Sequence, residues 1–255
     1  MDLHPWVVQA GSQAEVTGTV AQLTRGYGVV EDLFSEVLGD PGLHPEGPFS
    51  VAVSEDAHDA GLWPRLEGRR ITVTGTWDGA ILDTEQVANA TAAAPPGTVT
   101  RADSTPPLTL PAAPLHGDHE QDLRRAELAL WNDGTLVSRL EAPSRKLVYA
   151  AHDVARATRI LHPLLGEHLE VVPSRWDKRI FDHRDAAVRT AEKQGLLIYV
   201  GESVRPDGYR RCFVGLRYVT DEIADLLAVV PDELVSVHAL LTPAGRPLPP
   251  RPEDL

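Results

Sequence analysis

Cysteine, methionine and lysine are all scarce in this 255-residue chain, with one Cys, one Met and only Lys146, Lys178 and Lys193 among 24 basic residues. A single thiol, Cys212, excludes an internal disulfide and a cysteine cage for a metal. No segment approaches the roughly 20 consecutive apolar residues of a membrane-spanning helix. The first residues, Met1-Asp-Leu-His-Pro-Trp-Val-Val8, carry neither the basic region nor the apolar stretch of a secretory leader. The expectation is a cytoplasmic protein with no membrane attachment. Aromatic residues are 5% of the chain, which leaves little material for stacking surfaces.

Motifs that set out a reaction are missing as well. Neither of the glycine-rich phosphate cradles occurs, nor does the strained G-x-S-x-G turn of many serine hydrolases. His183-Arg-Asp185 resembles part of a kinase catalytic loop, but Thr190 stands where the metal-binding Asn belongs. His116-Gly-Asp-His-Glu120 is the densest cluster of metal-ligand types, yet Leu123 replaces the second His that a zincin helix needs. Cys212 lies between Arg211 and Phe213 in a strand-like run and reads as buried filler. No cofactor and no metal is expected.

What is present describes a globular chain. Apolar residues make up 42% and charged residues 24%, far from the composition of a disordered protein. The length favours two domains. Twenty-one arginines against three lysines match the Arg-, Ala-, Gly- and Pro-rich usage of a GC-rich genome more than a dedicated phosphate-binding function. The net charge of −13 is unevenly spread. Residues 1–100 hold 14 acids and 4 bases, whereas residues 139–217 hold 10 acids and 15 bases. The basic segment fits either a nucleic-acid footprint or docking on the acidic domain of the same chain.

Alternating apolar residues predict strands at Glu15–Gln22, Tyr27–Phe34 and Phe49–Ser54, then a short helix over Asp56–Leu66 with Gly68 after it. Arg69-Arg-Ile-Thr-Val-Thr-Gly-Thr-Trp-Asp-Gly-Ala-Ile-Leu-Asp-Thr-Glu-Gln-Val87 predicts a hairpin with strands near 70–77 and 81–88. Three strands, a helix and two strands, with the passage Leu66-Glu-Gly-Arg-Arg-Ile-Thr-Val-Thr-Gly-Thr-Trp-Asp-Gly79, resemble the OB-fold family over residues 12–90. That resemblance implies an all-β barrel with one short helix. Its strand-borne aromatics, Tyr27, Phe34, Phe49 and Trp77, are few, and its acidity repels phosphate, so a protein contact suits it better than a nucleic acid.

The resulting organisation is an OB-like domain over 1–91, a Pro/Ala/Thr-rich linker over 92–118, an α+β domain over 119–242 and a Pro-rich tail over 243–255. In the second domain, Asn132-Asp-Gly134 predicts a hairpin turn between strands Ala126–Trp131 and Thr135–Leu140. A helix is expected over Ser144–Leu161 ending at His162-Pro163, and a strand over His168–Val172. Asp182 is expected to cap a helix through Lys193, with Gly195 closing it. A second hairpin crosses Arg205-Pro-Asp-Gly208, a helix capped by Thr220 runs to Val229, and a last strand covers Leu234–Leu240. This gives a mixed or antiparallel sheet with about three helices.

The candidate contact residues are Arg175, Trp176, Lys178, Arg179, Arg210 and Arg211. Ser174-Arg-Trp-Asp-Lys-Arg179 places three cations and an aromatic ring in a loop between a strand and a helix, where binding residues gather. The same residues also fit, and fit better, a packing cluster in which Asp177 neutralises Arg175 or Arg179. The expected function is a non-enzymatic binding or adaptor protein contacting a protein partner, with single-stranded nucleic acid as the alternative. Two further readings are a metal-dependent enzyme acting on nucleic acid or nucleotides, and an acidic immunity-type antagonist of a basic protein.

Overall fold

The computed structural model describes residues 2–30, 49–54, 61–89, 117–140, 146–205 and 207–246. The chain divides into two compact units, one of Met1–Gly97, Asp185–Gly201 and Phe213–Leu255, the other of Thr98–Arg184 and Glu202–Cys212. Five α-helices and twelve strands lie among the described residues. No helix there is long and apolar enough to cross a membrane.

The first unit is built on β1 (Gln13–Gln22), β2 (Tyr27–Val30), β3 (Ser50–Val53), β4 (Arg70–Trp77) and β5 (Ile81–Asn89). These pair in the order β1-β2-β3-β5-β4, and β4 pairs back onto β1, so the sheet closes into a ring. All pairings in the ring are antiparallel except β3 with β5, which run parallel through Ala52 opposite Ile81 and Val53 opposite Leu82. Alternation explains the closure. On β1, Ala14, Val16 and Val20 point inward while Glu15, Thr17 and Thr19 lie on the outer, wetter side. Val29, Val51, Val53, Ile71, Val73, Trp77 and Leu82 supply the facing wall of the same core. Each fully buried Val, Leu or Ile contributes roughly 1.5–3 kcal/mol. Slipping any strand by one residue would turn that set outward.

The β4–β5 register shifts between Thr74 and Gly75. A Cβ on Gly75 would stand 1.9 Å from the Asp83 carbonyl oxygen, so only glycine fits. Between β3 and β4, helix α1 (Leu62–Leu66) buries Trp63, whose indole N–H donates to the Ser54 carbonyl at 3.1 Å. The helix expected from Asp56 thus appears from Leu62; residues 55–60 and the remainder of the second expected strand, 31–34, lie outside the described residues. Trp77, 1% exposed, is a core residue, and Phe49 and Tyr27 pack beside that core.

The ring acquires one strand from far along the chain. β12 (Leu241–Pro243) pairs antiparallel with the start of β1, Val16 opposite Leu241. Also in this unit, α5 (Asp221–Ala228) starts where the Thr220 hydroxyl accepts from the Ile223 N–H, as its capping sequence predicts. β11 (Val235–Ala239) follows it in a three-stranded sheet ordered β11-β10-β9, with β9 (Leu197–Val204) and β10 (Arg210–Leu216), whose residues 202–204 and 210–212 are counted with the second unit.

The second unit differs from expectation in its first half. Residues Gly117–Asn132 form a helix, α2, not a strand. Leu123 and Leu130 are seven residues apart on its buried side, and Glu120–Arg124 and Asp122–Arg125 pair at helical spacing. Asn132-Asp-Gly134 therefore ends a helix. Gly134, at φ +76°, takes the left-handed conformation common just past a helix C-terminus. The hairpin lies one strand later, between β6 (Leu136–Leu140) and β7 (Leu147–Ala151). Leu147–Ala151 was expected at the start of a helix. Val148 to Ala151 are all buried, and a strand covered on both faces reads as a continuous apolar run, not an alternation.

Helix α3 (Val154–Leu165) starts after Asp153, whose carboxylate accepts from the Arg156 N–H at 2.8 Å. Pro163 sits inside its last turn instead of ending it, held there by burial of Leu161 and Leu165. β8 (Leu169–Pro173) then pairs parallel with β7. Helix α4 (Lys178–Lys193) begins four residues before the expected Asp182, and Asp182 instead pairs with Lys178. The α+β character is as expected, but four helices and two separate three-stranded sheets follow residue 117 in place of three helices and one sheet. The expected linker, 92–118, lies outside the described residues except for Gly117 and Asp118, which open α2. Of the expected tail, Pro243 ends β12, and residues 247–255 lie outside the described residues.

Candidate functional site

The site belongs to the second unit and is assembled from the loop after β8, the first turns of α4 and the tip of the β9–β10 hairpin. β8 delivers the chain into Ser174, whose N–H bonds the Ala151 carbonyl at 2.8 Å and so extends the β7–β8 ladder by one residue. The Ser174 hydroxyl donates to the Trp176 carbonyl at 2.7 Å and accepts from the Trp176 N–H at 3.2 Å, a local turn that serine favours. Asp177 is the true cap of α4. Its carboxylate accepts from the Arg179 N–H at 2.8 Å and from the Arg179 guanidinium at 2.8 Å. The Arg179 side chain, then its backbone N–H, hold the Asp177 carboxyl down to about 2.

Tyr209 joins the hairpin tip to this loop. Its ring, 4% exposed, stacks on Phe181 of α4 at 6.1 Å and 16°. Its hydroxyl accepts from the Arg175 N–H at 3.1 Å and lies 3.2 Å from the Ser174 hydroxyl. Asp207, at the turn, meets Arg205 at 3.1 Å and Arg175 at 3.6 Å. Burial raises the Asp207 carboxyl, but the Arg205 bond and charge, the Tyr209 N–H and Arg175 more than reverse this and leave it below the usual range.

The six expected contact residues thus occupy defined places. Arg175 lies with its guanidinium 4.6 Å from the centre of the Trp176 ring and bridges to Asp207. Trp176 is half-buried, and its indole N–H is buried with no hydrogen-bond partner among the described residues. Lys178 meets Asp182 at 2.6 Å, and Arg179 meets Asp177. Arg210 pairs with Glu202 on the neighbouring strand at 2.6 Å. Arg211, next on β10, is half-buried. Arg175, Trp176, Lys178 and Arg179 share one loop and helix start, and the hairpin reaches them through Asp207 and Tyr209. Sequence reasoning missed Tyr209, because its only mark was an aromatic after a Pro-Asp-Gly turn and its partners lie 34 and 35 residues earlier.

Chemically the surface is a mosaic of paired charges around an aromatic ring. Its acids cap helices and neutralise neighbours: Asp153 caps α3, Asp177 caps α4, and Asp182 and Asp207 hold cations. No three His, Cys, Asp or Glu among the described residues converge to hold a metal ion, and Cys212 is buried. His116 and the side chains of residues 117–119 from the dense His/Asp cluster lie outside the described residues, while Glu120 pairs with Arg124. Comparison with known protein families, characterised proteins and solved structures finds no match to this chain.

Proposed function

We propose that this chain is a non-enzymatic binding protein whose second unit contacts a protein partner through the 174–179 loop and the 202–211 hairpin tip. One observation carries the reading: Arg175, Lys178, Arg179 and Arg210 each lie within ion-pair distance of a carboxylate on the same surface. Cations already neutralised release little counterion when they meet phosphates, so a polyanion gains less there than a protein surface of alternating charge. The half-buried Trp176 with Arg175 over it supplies residue types that dominate protein–protein contacts. The order of β1–β5, with its parallel β3–β5 closure and its helix before β4, supports reading the first unit as an OB-like barrel. The acidity of residues 1–100 makes that barrel a protein-contact module as well.

The test pairs two measurements on one preparation. Anisotropy of a labelled 20-mer of thymidine is followed from low to physiological salt, and proteins retained from a lysate of the source cells are compared between the wild type and a doubly reversed Arg175→Glu, Arg210→Glu variant. The reading expects a defined protein lost by the variant, and a flat oligonucleotide response. Oligonucleotide binding whose logarithm falls with log salt at a slope of about −3 or steeper would signal several phosphate contacts and overturn it.

A further inference from the structure

Arg217, in the first unit, has its charge sunk beside aromatic rings, with no carboxylate among the described residues in ion-pair contact with it. Its backbone is fixed on both sides, the N–H donating to Leu196 at 2.7 Å and the carbonyl accepting from Leu241 at 2.8 Å. The guanidinium carbon lies 5.6 Å from the centre of the Trp77 ring, and Tyr218 tilts onto the same ring at 5.8 Å. One terminal nitrogen reaches the Ala80 carbonyl only at 3.5 Å, the limit of a hydrogen bond, and Nε is buried with no hydrogen-bond partner among the described residues. The neighbouring turn contains an acid, but the Asp78 carboxylate is turned onto its own backbone, accepting from the Ala80 and Ile81 N–H groups at 2.7 Å each. Ile81, the residue after the Ala80 carbonyl that Arg217 reaches, is an apolar side chain 42% exposed.

A half-buried guanidinium with no counter-ion among the described residues carries a desolvation cost that an incoming anion reverses. Burial accordingly lowers the Arg217 pKa from its usual value. We infer that Arg217, seated on the buried Trp77 ring and flanked by Tyr218, forms with the exposed Ile81 a binding site for a single carboxylate carried on an apolar or aromatic body. The planar fork of arginine suits a carboxylate, and Ile81 suits the body attached to it. The charge of the unit selects for one anionic group only. Residues 1–97 alone hold 14 acids against 4 bases, and that field repels a polyanion while a contact at one isolated cation remains favourable. This site shares no residue with the surface assigned to the protein partner, so each proposal stands or falls alone.

The test is a nitrogen–proton NMR titration of the full chain, reading the Arg217 Nε–H, assigned by its disappearance in Arg217→Lys, and the Ala80 and Ile81 amides. Sodium benzoate should shift all three saturably with a midpoint on the order of millimolar, and benzamide, its neutral counterpart, should not. Arg217→Lys should weaken the Ala80 and Ile81 response about fivefold or more, and Arg217→Gln should abolish it; if Arg217→Gln does not fold, Arg217→Lys carries the test. Acetyl-phenylalanine and its amide then identify the source of the carboxylate. A response to the acid alone supports a peptide terminus, and a response to benzoate but to neither compound supports a small organic acid. No saturation by any of these acids, an equal response to benzamide, or shifts at Ala80 and Ile81 that persist in Arg217→Gln would overturn the site. So would tighter binding of an eight-residue thymidine oligonucleotide than of benzoate.

Discussion

Replacing Tyr209 with Phe isolates the contact that ties the hairpin tip to the 174–177 loop. The ring remains on Phe181 at its 6.1 Å spacing, so packing is conserved and only the hydroxyl is lost. That hydroxyl accepts the Arg175 N–H and lies against the Ser174 hydroxyl, both part-buried. A hydrogen bond of this kind contributes roughly 0.5–1.5 kcal/mol, and a buried donor left without its acceptor costs about 1–3 kcal/mol. Because Ser174 keeps its bonds to Trp176, the Arg175 N–H bears most of the loss, giving about 1–2 kcal/mol in total. Amide hydrogen exchange reads this at one position. If Arg175 opens locally, its protection should fall by a factor of about 5–30, and the denaturant midpoint of the second unit should fall by the corresponding free energy divided by the slope m. Unchanged Arg175 protection in Tyr209→Phe would refute the assignment of Tyr209 as the pin.

Other perturbations test the fold and the charges of the loop. Leu161→Ala, in the core shared by α2, α3, β6 and β7, should destabilise that unit by about 2–5 kcal/mol in guanidinium unfolding, since Leu161 is fully buried. Gly75→Ala should cost about 3 kcal/mol or prevent folding of the ring, because the new methyl meets the Asp83 backbone and no flexible side chain; circular dichroism melts decide it. Asp177 should titrate near 2 in carbon-detected NMR, and Arg179→Ala should return it toward the ordinary carboxylate range near 4. Its folded-state value is depressed, so the stabilisation it gives α4 is complete above about pH 4 and is lost as the pH falls toward 2.

The strands of the ring were legible because one side of each faces the core and the other faces water. Val16, Val20, Ile71 and Val73 alternate with threonines, and that period survives any context. The caps at Thr220 and the C-terminal turn at Gly195 were legible for a different reason, since both are satisfied within a few residues. Gly195 donates to Glu192 and Leu196 to Ala191, the two bonds that close a helix of this kind. Elsewhere one local signal serves two structures. Asn132-Asp-Gly134 ends a helix as readily as it turns a hairpin, and Leu147 with Ala151 fits helical spacing although both belong to a buried strand. Pro243 disguised β12, a three-residue strand whose partner lies more than two hundred residues earlier. In the candidate site, the ion pair of Asp177 with Arg179 was visible at a separation of two residues, whereas Tyr209 and Asp207 reach Ser174 and Arg175 across more than thirty.

The late arrival of β12 bears on how the protein is made. During synthesis β1 to β5 leave the ribosome together, but the flank of β1 at Ala14–Val16 waits for Leu241–Pro243, about 150 residues after Asn89. At roughly 5–20 residues per second, that flank stays open to solvent for about 8–30 seconds. A nascent chain in this condition displays bare backbone donors and acceptors to its neighbours on the same polysome, so slowed translation of the last third of the message, more than heat, is the circumstance under which this protein should clump.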